Sequence, residues 1–395
     1  MNLADMLGFA DTQQLSRIAD VYQCECNRHS KNELIQSILG AVSRREVFDA
    51  QISAMPIEDL RFLSSLLFES RSSFSLEELI ARVQQSKFPE PPQDDSPSAA
   101  GKMRRSKSSK TSRKSKEVKE VSPRDVVIRF KHQGWLFNGF SGANRYLFQV
   151  PMDLKARLLD TMKRRFQSAL TYTDEPHVYR DEQGIMVDDI RQLLHYIHHN
   201  EVQLTAEGSM YKRFIQAILD RLGVKEELPG RGEWRFGYGR HFNMYPNRMS
   251  LLYDYCYYAK YIQETESNLT LTPKGEERLL HQSLTEMEQL YRFWLRMYKA
   301  PIPSLLSLAH WINSMASEWV TVDSVQAVLS PYIKPFYYDS SEAIFQQRVM
   351  GMMLHLGLLR IGEHETYGPV MRMTIAGKAI MAGVSLDEKD PIVLH

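Results

Sequence analysis

The sequence predicts a mainly α-helical protein with small β wings, and three observations carry the prediction. Residues 1–45 and 57–85 place apolar side chains at the three- and four-residue spacing of a helix face. From about Phe88 to Val121 the composition turns to Pro, Ser, Lys and Arg with almost no large apolar residue. Beyond that stretch a Thr followed three positions later by Gly occurs three times, each time after a short apolar or β-branched run and ahead of a helical pattern.

In chain order, the first helical spacing is read from Leu3, Met6 and Leu7, then Leu15, Ile18 and Ala19, then Leu34, Ile35, Ile38 and Leu39. Leu60, Leu63, Leu66 and Leu67 continue it, followed by Leu76, Leu79, Ile80 and Val83; Ser75, ahead of Glu77 and Glu78, is suited to cap the second of these helices. The stretch 88–121 cannot bury enough apolar surface to offset the entropy of ordering, so it reads as a disordered loop. Ser122-Pro123 restarts order, with Pro at the first helical position. The recurring step is Leu204-Thr205-Ala206-Glu207-Gly208, then Leu271-Thr272-Pro273-Lys274-Gly275, then Met373-Thr374-Ile375-Ala376-Gly377. In each copy a strand is expected to end at Thr, whose hydroxyl caps the next helix, while Gly lets that helix pack close to the strand. Leu251 to Tyr261 before the second copy and Val349 to Arg360 before the third read as a helix leading into a hairpin. Helix, two-stranded wing, then helix is how a winged-helix unit ends. The expected fold is therefore tandem winged-helix units preceded by an N-terminal helical segment. The copies are irregularly spaced, which argues against a solenoid array.

Composition narrows the function classes. With 395 residues the chain can build two to four compact units, and its 43% hydrophobic and 25% charged residues are ordinary globular values. The formal net charge is +1, so nucleic-acid binding must come from local rather than global charge. No apolar run reaches the roughly 18 residues that span a bilayer. Met1 to Ala10 contains Asp5 and no basic stretch, unlike a signal peptide. Cys24, Cys26 and Cys256 are too few for a disulfide framework. The default expectation is a reducing, cytoplasmic setting with no membrane partner and no cofactor.

The run Ile185-Met186-Val187-Asp188-Asp189-Ile190-Arg191-Gln192-Leu193-Leu194, followed by Val202-Gln203-Leu204-Thr205-Ala206-Glu207-Gly208-Ser209-Met210-Tyr211-Lys212-Arg213, resembles the helicase-associated region that precedes the motor in XPB-type helicases. Leu251 to Leu280, with Trp294 beyond, resembles its continuation, and residues 46–155 fit a first winged unit with helices 57–68, 75–85 and 124–133 and a hairpin from Trp135 to Val150. The step Val150-Pro151-Met152-Asp153-Leu154 follows that hairpin. The resemblance covers roughly residues 46–382; with the helical spacing of residues 1–45, it implies an N-terminal helical segment 1–45, a first winged-helix unit 46–155 containing the basic loop 88–121, a second unit 156–300 and a third unit 301–395. It does not extend to motor activity. The phosphate-cradling G-x-x-x-x-G-K-[ST] is absent, and Ala376-Gly377-Lys378-Ala379 lacks both the leading Gly and the hydroxyl.

Candidate chemistry divides into patterns with two readings each. The run Lys102, Arg104, Arg105, Lys107, Lys110, Arg113, Lys114 and Lys116 contains no acid; it is either a solvated loop or a phosphate-contacting one. Arg231, Arg235 and Arg240 interleave with aromatics and glycines between residues 231 and 242, which suits nucleic acid or a partly buried loop. Tyr253, Tyr257 and Tyr261 form a helical stripe, with Tyr255 and Tyr258 beside it, read as core or as a stacking surface. The third helices of the units, near 124–133, 248–262 and 341–357, would approach DNA. Arg124, Arg129 and Lys131 charge the first, and Gln346, Gln347 and Arg348 tip the last. Lys212, Arg213 and Arg248 complete the expected nucleic-acid contacts. Cys24-Glu25-Cys26 with His29 lacks zinc spacing, and His195, His198 and His199 read as a solvated helix face, so no metal is expected. No catalytic constellation stands out. The expectation is a non-enzymatic protein that binds DNA non-specifically or assists a separately encoded helicase motor, the alternative being a protein-docking scaffold.

Overall fold

The computed structural model describes residues 1–69, 71–88, 121–140, 142–230, 237–241, 243–281 and 285–383. The expected loop therefore lies, from residue 89 to 120, outside the described residues. The fold is mainly helical with small antiparallel sheets, and the chain divides into two compact units.

The first unit comprises Met1–Phe62 and Ser73–Leu154. Its N-terminal part holds α1 (Leu3–Phe9), α2 (Thr12–Val21), α3 (Lys31–Ser43) and α4 (Arg45–Ser53). Asp11 caps α2 by accepting from the Gln14 amide at 2.7 Å. There follow α5 (Ile57–Leu67), β1 (Ser73–Phe74), α6 (Leu76–Ser86), α7 (Pro123–His132), β2 (Phe137–Asn138) and β3 (Phe148–Gln149), with α8 (Met152–Gln167) leaving the unit. Ser75 caps α6 through the Glu78 amide at 3.1 Å, and Ser122 precedes Pro123 at the start of α7, both as the sequence predicts. The strands pair in the order β1-β3-β2, all antiparallel. Trp135 fills the core, edge-on to Phe130 at 5.5 Å and tilted against Phe48 at 5.9 Å. Its indole N–H donates to the Tyr22 hydroxyl at 3.2 Å, which donates in turn to the Gln133 carbonyl, so a buried donor is satisfied.

The second unit comprises Leu63–Ser72 and the chain from Lys155 onward. After β4 (Val178–Arg180) it runs through α9 (Ile185–His199), β5 (Val202–Gln203), α10 (Lys212–Leu219), α11 (Asn247–Tyr258), β6 (Ile262–Glu264) and β7 (Asn268–Leu271). Next come α12 (Pro273–Leu280) and α13 (Glu286–Tyr298). The last part holds α14 (Leu305–Met315), β8 (Val320–Thr321), α15 (Val322–Leu329), a helix built from α16 (Ser341–Ala343), a π-helical stretch (Ile344–Met350) and α17 (Gly351–His355), then β9 (Leu359–His364), β10 (Gly368–Met373) and α18 (Ile375–Gly383). One sheet has the order β5-β7-β6; in the other β8 lies beside β10, β10 beside β9, and β9 beside β4.

Helix, strand, helix, helix, strand, strand thus occurs three times, and each time the first strand pairs with the third and the third with the second. The third helix also ends the same way in every copy. Gly134, Lys260 and Gly357 sit there with φ of 69°, 58° and 65°. The residue after each returns an amide to a helix carbonyl five positions back: Trp135 to Phe130, Tyr261 to Cys256, Leu358 to Met353. This left-handed closure satisfies carbonyls that the helix end leaves open and turns the chain into the strand.

Two of the three Thr-Gly steps behave as the sequence predicts. The Thr272 hydroxyl accepts from the Gly275 amide at 3.1 Å and donates to the Lys260 carbonyl at 2.6 Å. The Thr374 hydroxyl accepts from the Gly377 amide at 2.8 Å and donates to the Gly357 carbonyl at 2.9 Å. A Cβ on Gly275 would stand 2.0 Å from the Tyr261 carbonyl oxygen, and one on Gly377 2.2 Å from that of Leu358. The first copy differs. Thr205 closes a turn in which its carbonyl accepts from Gly208, at φ 77°, and α10 begins only at Lys212. The chain passes through this turn before α10 starts, so no helix begins at Thr205 for its hydroxyl to cap.

Candidate nucleic-acid interface

In the first unit, α7 is amphipathic, and its last turn carries Arg129, Lys131 and His132 where cations offset the helix dipole. Packing decides which of these remains available. Arg129 reaches both carboxylate oxygens of the buried Asp59, at 2.6 and 2.5 Å, and is committed there. Burial raises the Asp59 carboxyl above its usual range, with the Arg129 charge pulling against it. Lys131 instead donates to the Asn138 side-chain oxygen at 2.8 Å, and the Asn138 amide nitrogen lies 3.5 Å from the carbonyl of Arg145. Arg17, on the polar face of α2, donates to Nε2 of His132 at 3.3 Å. Burial lowers the pKa of Lys131 and of His132, and the Arg17 charge lowers both further; for Lys131, Asp11 acts in the opposite direction.

Arg17, Lys131 and His132 thus meet from a helix and a helix end, and the backbone of Arg145, an exposed residue of the hairpin, lies against the Asn138 that holds Lys131. Among the described residues, none of the four forms an ion pair with a carboxylate. Arg17 and Lys131 carry the charge here, His132 accepts from Arg17 as a neutral ring, and Asp11 balances Lys131 only in part; neighbouring like charges repel one another and favour an anion. Arg124 is exposed at the other end of α7. The sequence reading missed Arg17, His132 and Arg145. Arg17 is 115 positions from His132 and sits among Gln13, Gln14 and Ser16, with no basic run to mark it.

The other expected contacts fall into three groups. Lys102, Arg104, Arg105, Lys107, Lys110, Arg113, Lys114 and Lys116, and also Arg231 and Arg235, lie outside the described residues. Lys212 and Arg213 are exposed at the start of α10, where Arg213 donates to Gln203 at 2.7 Å. Arg240, Arg248 and Arg348 are occupied. Arg240 pairs with Glu264 at 2.7 Å and lies over the Tyr257 ring at 3.9 Å. Arg348 is buried against Asp339 and Asn247 with its guanidinium over Tyr238. Arg248 is 0% exposed, 2.5 Å from Asp189 and 3.7 Å from Glu182, which also bonds His355 and Arg180. Burial alone would raise the Glu182 carboxyl, but the His355 hydrogen bond and the surrounding cations hold it below its usual range. A buried guanidinium already paired with a carboxylate cannot reach phosphate, so Arg248 and Arg348 are corrected from DNA contacts to internal counter-charges.

The same holds for the middle third helix. Arg248 to Cys256 are buried, and Tyr253, Tyr255 and Tyr261 are core residues rather than a stacking surface. In the last repeat Gln346 and Gln347 are exposed, with Gln346 donating to Gln326 at 2.9 Å. His195, His198 and His199 are exposed with rings in contact, and among the described residues no group of His, Cys, Asp and Glu is arranged to hold a metal ion. No described helix is long and apolar enough to cross a membrane. Compared with protein-family models, with curated proteins and with solved structures, the chain finds no match in any of the three.

Proposed function

We propose that the three repeats are winged-helix units and that the chain is a non-enzymatic DNA-binding or helicase-accessory protein of the XPB-type helicase-associated kind. The observation that carries the reading is the pair of cations Arg17 and Lys131, joined through His132 and Asn138 at the end of the third helix of the first repeat, with exposed Arg145 on the adjoining hairpin. In a winged-helix unit those two elements meet DNA, the helix at the groove and the wing at phosphate. The repeated element order, the strand order and the common helix ending support the winged-helix assignment. The first repeat supplies the cations; the middle one, its third helix buried, serves as framework. Binding is non-specific, because lysine and arginine on phosphate position a protein without reading sequence. A separately encoded motor would supply any ATP-driven step.

The test is fluorescence anisotropy of the full chain with labelled duplexes of unrelated sequence at several salt concentrations. Three or four phosphate contacts give a log–log salt slope of about −3 to −4, and Arg17→Ala, Lys131→Ala and Arg145→Ala should each flatten it by about 1. Absence of binding at low salt defeats the proposal. In that event the exposed Tyr337-Tyr338 hairpin tip, held from below by the Asp339–Arg348 pair, favours a protein-docking scaffold instead.

A further inference from the structure

We infer that the wing of the first repeat holds unpaired nucleobases, so that the preferred ligand is a nucleic acid with a single-stranded portion. The inference rests on the DNA-binding function proposed above and assigns the part of the ligand that the cation cluster does not explain. Three aromatic side chains stand out of this unit: Phe9 is 63% exposed, Phe140 37% and Tyr146 80%. Phe9 and Phe140 already face one another, with ring centroids 4.4 Å apart and planes tilted by 31°. Phe140 and Tyr146 flank the end of the wing: Asn138 is paired with Phe148 and the Gly139 amide bonds the Leu147 carbonyl at 2.9 Å, so Phe140 follows the last bonded residue of one arm and Tyr146 precedes that of the other. The turn is held close, since a Cβ on Gly139 would stand 2.2 Å from the Asn144 carbonyl oxygen.

Exposed aromatics alone would fit many partners. What selects nucleic acid is their neighbourhood. Arg145 adjoins Tyr146 in the chain, its carbonyl lies against Asn138, and Asn138 holds Lys131. The cluster continues to His132 and Arg17. Asp11, which caps α2, keeps its negative charge near Lys131, but Arg17 and Lys131 outnumber it. Cations that track a backbone, interleaved with flat apolar rings, match the alternation of phosphate and base in a single strand. Paired bases do not satisfy this arrangement. Within a duplex the faces are covered by their neighbours and only edges are offered, whereas an unpaired base presents its whole face to a ring.

The experiment measures anisotropy of the full chain with three fluorescein-labelled probes: oligothymidylate, a blunt duplex, and the same duplex carrying an oligothymidylate tail. The parent should bind the tailed duplex more tightly than the blunt one. Phe140→Ala combined with Tyr146→Ala should weaken binding to the tailed and single-stranded probes by about five- to hundredfold, leaving the blunt duplex unchanged. Tyr146→Ala alone, at a site that is mostly solvent-exposed, should show part of the same loss with unaltered circular dichroism, and Tyr146→Phe should retain affinity because the ring remains. Equal affinity of the parent for tailed and blunt duplex, or undiminished oligothymidylate binding by the double variant, overturns the inference while leaving the duplex-binding function standing; the wing would then be a protein contact. Failure of the parent to bind any probe removes the function and the inference together.

Discussion

Gly377 offers a severe test of how the last repeat is closed. Alanine in place of glycine inside a helix ordinarily stabilises by about 0.5–1 kcal/mol, because glycine has more freedom to lose on folding. At Gly377 the new Cβ would stand 2.2 Å from the Leu358 carbonyl oxygen and within 2.8 Å of two more backbone atoms of that residue. That is more than an ångström short of the 3.4 Å at which ordinary contact begins. The obstacle is backbone at the start of β9, pinned by the Leu358-to-Met353 hydrogen bond, so the first turn of α18 must retreat. Retreat stretches the bonds of the Thr374 hydroxyl to Gly377 and Gly357 and the Thr374 amide bond to Leu358, all buried. At about 1 kcal/mol for each net hydrogen bond lost, and after subtracting the helix-propensity gain, Gly377→Ala should destabilise the second unit by about 2 kcal/mol. Gly275→Ala should behave alike, its Cβ meeting the Tyr261 carbonyl oxygen at 2.0 Å. Gly40, inside α3 with nothing within 4 Å of its Cβ position, is the control and should gain stability as Ala. Urea unfolding followed by far-ultraviolet circular dichroism reads all three, with tryptophan fluorescence from Trp135 of the first unit for Gly40 and from Trp294, Trp311 and Trp319 of the second for Gly377 and Gly275. If Gly377→Ala unfolds at the same urea concentration as the parent or a higher one, close approach is not the reason for glycine there.

The buried cations should separate cleanly from the exposed ones. Arg248→Ala leaves Asp189 buried without its cation and removes one of those around Glu182, and should cost about 3–5 kcal/mol in urea unfolding without changing the salt slope of the proposed DNA binding by the folded protein; a stable variant with a flattened slope would contradict the assignment. His310, stacked on Phe68 at 4.9 Å, is pushed down to about 4 by burial and by the charge of Lys155. Its folded pKa lies below its unfolded value near 6.5, so between pH 6.5 and about 4 the unfolded chain binds the extra proton. The stability it contributes is complete above that window and is lost as pH falls through it, with a slope approaching about 1.4 kcal/mol per pH unit. His310→Phe, which keeps a flat ring against Phe68, should make unfolding free energy less steep in that window, and an unchanged slope in urea titrations at stepped pH would refute it.

What the sequence by itself determined is largely local. The caps at Ser75 and Ser122-Pro123, the third helices near 124–133, 248–262 and 341–357, and the capping roles of Thr272 and Thr374 were legible because each rests on interactions within a few residues. The remaining Thr-Gly match, at Thr205, shows the limit: the same letters close a turn there, and α10 begins only beyond it. Strand order and burial were settled only by tertiary structure, because both depend on partners far apart in the chain. The candidate site shows this most clearly. Charge alone made Arg248 and Arg348 candidates equal to Lys131, yet packing gave the first two carboxylate partners inside the protein and left Lys131 beside other cations. Arg17, in an unremarkable polar helix face, became part of the same cluster because α2 packs beside α7 and a guanidinium is long enough to reach His132. Whether a cation faces a phosphate or a buried carboxylate is a property of the space around it, and periodicity within one segment carries no record of that space.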